Sequence, residues 1–382
     1  MIFTRFLRST SAACPVLLRP QIRTLSRPRR MSAVPPPSAE APIEQPAKPA
    51  KTPKAPKAPK DKIPAAAPVP FSTIAHPLTS LSYVDTHCHL DMVITRLPQT
   101  HCGAGEFADN EQIAKALQDL RHQSFPSNFE ACINVMCDPE YFGGERDAQY
   151  IAAEVPPMHN RWESLVEHNP WLYLACGIHP HNAIRYNDTV EEHLLKALAH
   201  PRTKAMGEMG LDYFYGLSPK ETQKAVFRRQ LELAVQLDKP LVIHTREADE
   251  DTFEIMDSVL PKAHKIHVHC FTGSAEFAQR LLGRFDNLYI GFTGVITFNS
   301  ADPIREAVKV VPLEKILLET DAPYMMPLCK DPRFVIRKGP ASKIAHCGHI
   351  PLIAERIAQV KEVEIDLVME HARRNTLFVY GL

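Results

Sequence analysis

The sequence predicts an α/β chain, a (β/α)8 TIM barrel over residues 80–382 behind a disordered N-terminal extension. Two observations carry this. From about Ser80 onward, eight short apolar runs alternate with stretches of helical periodicity, the signature of parallel strands joined by crossover helices. Five of these runs carry metal-ligating residues at or just past their ends. They are His87 and His89 in YVDTHCHLD, Glu208 in KAMGEMGLDYF, His244 in PLVIHTREA, His269 in IHVHCFTGS and Asp321 in ILLETDAPY. The C-terminal ends of barrel strands point at a common centre, so this recurrence suggests a metal-dependent hydrolase.

The extension has a different composition. Residues 1–30 contain seven Arg and no acid among Ser, Thr, Leu, Ile and Phe, as in a mitochondrial transit peptide. Met31 follows directly and offers a second start for a cytoplasmic form, which leaves the nucleus open as a destination. Residues 31–79 form a Pro/Ala/Lys-rich linker, and 15 of the chain's 34 prolines precede residue 71. Proline removes amide donors and little here can be buried, so an extended, solvated spacer is expected. The chain holds 44 Lys+Arg and 44 Asp+Glu, but residues 1–70 take 13 of the basic and three of the acidic ones. The body therefore carries −10 and does not present a broad basic surface for coating nucleic acid. No apolar stretch approaches the length of a membrane span. The nine cysteines show no zinc-ribbon spacing and read as reduced, mostly buried thiols.

The strands expected in order are 83–86, 131–135, 172–176, 205–208, 241–244, 266–269, 288–291 and 316–319. Amphipathic stretches 221–237, 275–282 and 304–310 lie between them, and 353–360 and 365–372 follow the last. Residues 94–129 and 138–169 are long for barrel connections and read as insertions, the first with a helix near 110–123.

Each candidate has a chemical reason. His87 and His89 are two apart, so in a strand both imidazoles face one ion, with Asp85 on the same face and Cys88 on the other. Glu208 sits between glycines that let backbone crowd close, and a carboxylate there can bridge two cations. Asp212, four residues on, is a weaker candidate for orienting a ligand or contacting a leaving group. Arg246 can hold a phosphate bidentately. His269 is preferred to His267 because it lies nearer the strand end. Asp321 can bind metal and accept a proton from attacking water. Four imidazoles and two carboxylates exceed what one catalytic ion usually takes, so two divalent ions are expected: Mg, Mn or Zn.

At these residues the chain resembles the TatD family of metal-dependent deoxyribonucleases among the amidohydrolase-like barrels. VDTHCHLD, GIHPH, GEMGLDY, PLVIHTREA, HCFTGS and LLETDAPY carry the resemblance, in family order, from about Ser82 to the C-terminus. It implies a (β/α)8 barrel, metals on His87, His89, Glu208, His244, His269 and Asp321, and 3′→5′ exonuclease action on DNA. It also implies substrate contacts from His179 and His181 in GIHPH. The stretch SKIAHCGHIPLIAERIA departs from the family's Arg-Asn-x-Pro element, and Arg337, His346 and His349 are expected to supply that loop's contacts.

The resulting expectation is a two-metal phosphodiesterase acting on single-stranded or frayed DNA ends, with no membrane and no stable protein partner. His87, His89 and Asp321 hold one ion, His244 and His269 the other, and Glu208 bridges. Asp321 deprotonates the water and, with Glu208, is catalytic; Arg246, His179, His181 and Asp212 face the substrate. The alternatives are an ester or amide hydrolase on the same barrel, such as an aminoacyl-tRNA deacylase, or a catalytically silent binding protein.

Overall fold

A computed structural model describes residues 73–74, 78–96, 109–145, 158–330, 334–335 and 343–382. The expected import segment, nearly all of the linker, and Arg337 lie outside the described residues. All that follows concerns the unit Lys62–Leu382.

Eight parallel strands pair in sequence order: β1 (Tyr83–Cys88), β2 (Phe129–Met136), β3 (Leu172–Cys176), β4 (Thr203–Asp212), β5 (Leu241–Arg246), β6 (Ile266–Val268), β7 (Leu288–Phe292) and β8 (Ile316–Leu318). The crossovers hold α1 (Leu90–Thr95), α2 (Asn110–Ser124), α3 (Arg161–His168), α4 (Asp188–Ala199), α5 (Lys220–Gln236), α6 (Asp249–Val259), α7 (Ala275–Arg284) and α8 (Asp302–Val310). After β8 come α9 (Ile350–Lys361) and α10 (Ile365–Tyr380). The helices obey local chemistry. Asp109, Asn187 and Ser274 accept from the amides of Gln112, Val190 and Phe277, capping α2, α4 and α7. In α5 the buried positions Phe227, Leu231 and Ala234 form one stripe against the sheet. Within the stretch expected to be linker, Thr73–Ile74 pairs antiparallel with Phe334–Val335.

Two apolar layers result. The larger lies between strands and helices. The smaller contains Ile133, Val135, Ala175, Ala205, Val242, Tyr289 and Leu317, one or two from each of six strands, together with Val379 and Tyr380 at the end of α10. Period-two alternation then stacks residues above this second layer, His244 over Val242 and Gly291 over Tyr289, while Glu319 and Asp321 follow Leu317 just past the end of β8. Apolar packing fills the barrel at this level, and imidazoles and carboxylates follow it along the strands.

Closure between β8 and β1 uses few ladder bonds. The seam consists of a bridge between Cys88 and Ala322, with His89 N donating to Ala322 O at 2.7 Å and Asp321 N to His87 O at 2.9 Å. Asp85 reinforces it: Thr320 N and Oγ1 donate to its two oxygens at 3.0 and 2.5 Å. Thr86 Oγ1 adds a bond to Leu318 O at 3.0 Å. Burial pushes the Asp85 carboxyl up to about 8 against these bonds. Asp85 therefore fastens the seam and does not reach the imidazoles.

Strand β4 breaks alternation where the site needs it. The register with β5 shifts between Gly207 and Met209, leaving Glu208 as the extra residue of a bulge. With Ala205 facing inward, an unbroken strand would turn Glu208 outward; the bulge re-aims it. Gly207 and Gly210 make this geometry accessible at φ of 144° and 146°. A Cβ on Gly210 would lie 1.9 Å from His244 O. Gly210→Ala is therefore expected to destabilise by about 3 kcal/mol or more, seen as a lower urea midpoint. Gly283→Ala, in exposed helix with nothing within 4 Å, is expected to stabilise by about 0.5–1 kcal/mol. Similar midpoints for the two variants would contradict the bulge argument.

Candidate metal centre

Glu208 is buried, and its carboxylate meets five imidazoles. Oε2 faces His87 Nε2 at 3.4 Å and His89 Nε2 at 3.8 Å. Oε1 faces His244 Nδ1 and His269 Nε2, each at 2.8 Å, and His179 Nε2 at 3.3 Å. Asp321 Oδ1 lies 3.5 Å from His89 Nε2 and 3.7 Å from His87 Nε2. All six residues singled out as ligands thus meet in one cluster, with the two oxygens of Glu208 turned to different halves of it.

The partners on the far side of each ring decide which nitrogens can donate to a metal. His89 Nδ1 faces Val135 O at 3.2 Å, and a carbonyl only accepts, so the neutral ring carries its proton on Nδ1 and offers Nε2. His244 Nε2 faces Asp212 Oδ2 at 3.1 Å, so the proton sits on Nε2 and Nδ1 turns its lone pair inward. His269 offers Nε2, while its Nδ1 is buried without a hydrogen-bond partner among the described residues. His87 stacks on His269 with ring centroids 3.9 Å apart and planes 7° apart. His179 is opposite in sense. Its Nδ1 accepts from His181 N at 3.1 Å, which places its proton on Nε2, facing Glu208. Although Glu208, His179 and His244 are close enough to surround an ion, His179 is in this tautomer a donor that steadies Glu208.

This redistributes roles expected from sequence. His179, read there as a substrate contact, is turned toward Glu208, and Asp212, read as orienting a ligand or contacting a leaving group, is turned toward His244. His181 lies at the rim, with Nε2 3.0 Å from Asp212 Oδ2. Arg246 ends β5, and its guanidinium lies 4.0 Å over the Phe214 ring. His346 and His349 are buried in a local capping arrangement before α9, each accepting a backbone amide through Nδ1, and neither contacts the cluster. His267 belongs to a deeper group, with Nε2 3.0 Å from Glu319 Oε2 and Nδ1 2.6 Å from Tyr380 Oη. Glu319 also accepts from Cys270 N, beside His269. The supporting roles of Glu319 and Tyr380 went unread: apart from an apolar run and a helix end, their sequence carries no signal. Cys270 and Asp321, at the ends of β6 and β8, have φ of 43° and 52°, left-handed conformations that cluster at functional sites.

The electrostatics follow from this packing. Burial alone would raise Glu208 and Asp321, but the surrounding imidazoles hold both below the usual carboxylate range. Burial, aided by His269, drives His87 down to about 3, and burial brings His179 to about 4. For His244 the burial penalty is outweighed by Asp212 and Glu208, which raise it to about 9. Burial also opposes charge on His89 and His269, yet Asp321 raises the first and Glu208 the second. Neither buried carboxylate has a Lys or Arg within ion-pair distance among the described residues. Lone-pair nitrogens around two anions without a fixed cation are a donor set suited to divalent metal.

A proton-linked consequence follows. His89, His244 and His269 take up protons more readily than free histidine in the metal-free protein, and these must leave before the nitrogens ligate. The His244 interaction stabilises the metal-free fold fully below about pH 6.5 and is lost as pH rises through about 9. Metal affinity runs the other way and is expected to strengthen from pH 6 toward 9, with protons released. Calorimetry in buffers of different ionisation enthalpy measures that release. Asp212→Asn, which removes the anion behind His244, is expected to weaken metal binding by about 10- to 100-fold. Proton uptake on binding would contradict the raised protonation of these histidines, and unchanged affinity in the variant would contradict the role of Asp212 behind His244.

Comparison with known proteins bears on this centre. Residues 84–381 match the family model described as TatD related DNase. The 3′-5′ RNA nuclease TATDN2 of Homo sapiens is 40% identical over 309 residues, covering 80% of this chain. The match spans only 36% of the human protein's length. The 3′-5′ ssDNA/RNA exonuclease TatD of Escherichia fergusonii is 32% identical over 221 residues, 58% of this chain and 82% of that one. Among solved structures, the TatD homolog YjjV of Escherichia coli K12 superposes with a TM-score of 0.58 at 24% identity, covering 80% of this chain and all of the other, and it shares the fold.

Proposed function

Because the chain belongs to the TatD related DNase family, we propose that it is a metal-dependent hydrolase that cleaves phosphodiester bonds at the 3′ end of single-stranded nucleic acid. The observation that carries this is the split carboxylate of Glu208, one oxygen toward His87 and His89, the other toward His244 and His269. That arrangement suits two divalent ions with Glu208 between them and Asp321 completing the His87/His89 side. Bound there, such ions would polarise a phosphoryl oxygen and make water a stronger acid.

The chain's own groups do the remaining work. Asp321, held ionised by His89 and His87, can accept a proton from the attacking water. Glu208 stays anionic, steadied by the His179 Nε2 proton, so its oxygens remain ligands. Arg246, with no carboxylate within ion-pair distance among the described residues, supplies a cation for the substrate phosphate beside His244. The acidic body suits a strand end entering a cleft better than a grip on long duplex. The relatives' names mention RNA as well as single-stranded DNA, so both belong in the test.

The experiment is hydrolysis of 5′-labelled single- and double-stranded DNA and RNA by the full chain, with EDTA or with Mg, Mn or Zn. Stepwise shortening from the 3′ end that requires metal is expected. Glu208→Gln, nearly isosteric and uncharged, is expected to lower the rate by about 10²-fold or more at unchanged fold. Cleavage insensitive to EDTA, or a fully active Glu208→Gln protein, would sink the proposal. Hydrolysis of an aminoacyl ester but of no phosphodiester would replace it.

A further inference from the structure

Just past β4, two large rings stand in solvent beside the centre. Phe214 is 51% and Tyr215 56% exposed. Their centroids are 4.7 Å apart at 88°, so an edge of one meets the face of the other. Exposed aromatics usually cost solubility without return, and single ones need no explanation. Here the loop that carries them is tied to the metal ligands. Asp212 Oδ1 accepts from Phe214 N at 3.0 Å and Tyr215 N at 3.3 Å. Its Oδ2 holds His244 and His181. One carboxylate thus sets both the orientation of a ligand and the position of the two rings. Tyr213, preceding them, is pinned by its hydroxyl to Asp251 at 2.5 Å and by Lys220 over its ring at 4.0 Å. Tyr215 in turn packs edge to face against His181, with centroids 5.3 Å apart.

The charge beside the rings fits an anionic, flat ligand. The Arg246 guanidinium lies 4.0 Å from the Phe214 centroid and 5.0 Å from that of Tyr215. A ring carrying an arginine on one side and open to solvent offers a stacking face next to a phosphate-binding cation. Successive bases and phosphates of a single strand alternate in the same way, and stacking accepts any base.

We propose that Phe214 and Tyr215 form a stacking platform for an unpaired base next to the scissile phosphate, with Arg246 on that phosphate; this rests on the nuclease reading above. The platform makes the protein select strands whose terminal bases are unpaired. It contributes binding of the base and takes no part in the bond-breaking step.

The test compares a single-stranded oligonucleotide with an oligomer of the same length in which every nucleoside is replaced by an abasic tetrahydrofuran unit. The full chain is used as wild type, Phe214→Ala, Tyr215→Ala and the double variant. Wild type is expected to have a lower KM for the oligonucleotide than for the abasic oligomer. The double variant is expected to lose about 5- to 100-fold in kcat/KM on the oligonucleotide, mainly through KM, while its kcat/KM on the abasic oligomer is unchanged. Phe214→Tyr and Tyr215→Phe, which keep the rings, should restore the preference. Equal losses on both substrates would mean that the loop merely supports Asp212, and no loss on either would mean that the rings are idle; each overturns the platform. Failure of wild type to cleave either oligomer would overturn the nuclease reading and the platform with it.

Discussion

A buried carboxylate ringed by imidazoles, with no Lys or Arg within ion-pair distance among the described residues, is the constraint on which the rest of this molecule depends. Glu208 has five histidine nitrogens within 4 Å and, among the described residues, no permanent cation. A charge taken out of water must be compensated by partners or by a bound ion. The surrounding imidazoles supply that compensation, which is why His89, His244 and His269 are raised while Glu208 and Asp321 are lowered. The same nitrogens, once deprotonated, belong to groups that could hold a metal ion.

The scaffold is arranged around that need. Apolar residues of six strands, sealed by Val379 and Tyr380 of the last helix, support the polar residues stacked next along the strands. Between the two, His267, Glu319 and Tyr380 form a buried polar group that bonds to the backbone of Cys270 beside His269. Burial pushes the Glu319 carboxyl up to about 8, so this group adds little negative charge beneath the centre. Gly291 is required here, since a Cβ would lie 2.4 Å from His267 Nε2 and 2.6 Å from the Glu319 carboxyl. The seam between β8 and β1 joins the strands that carry Asp321, His87 and His89, so barrel closure and completion of the ligand set share the same backbone bonds.

Much of this could be read from residue order, for identifiable reasons. Alternation of apolar runs with helical periodicity specifies parallel strands, and all eight runs correspond to strands, shifted at their ends by up to four residues. The ends of those runs located the cluster, because the C-terminal ends of barrel strands lie at the mouth, where their inward-facing side chains can meet. Alternation also placed Cys88 away from His87 and His89, and it packs toward Ile133 O and Cys347. Three features escaped. The bulge at Glu208 breaks the period-two rule, and only its flanking glycines hinted at it. The placement of His179 behind Glu208 depends on a hydrogen bond to the His181 amide, which no spacing reveals. Asp85 was expected near the imidazoles but serves the seam, since its partner Thr320, just past the end of β8, lies 235 residues away in sequence.

In the proposed centre Glu208 would stand between two divalent ions. Electron paramagnetic resonance of the Mn-loaded protein, with metal content measured on the same sample, tests it most directly. Two Mn per chain with an exchange-coupled spectrum that collapses to isolated ions in Glu208→Gln is the result this account predicts. One Mn per chain, or two uncoupled ions in wild type, would contradict it.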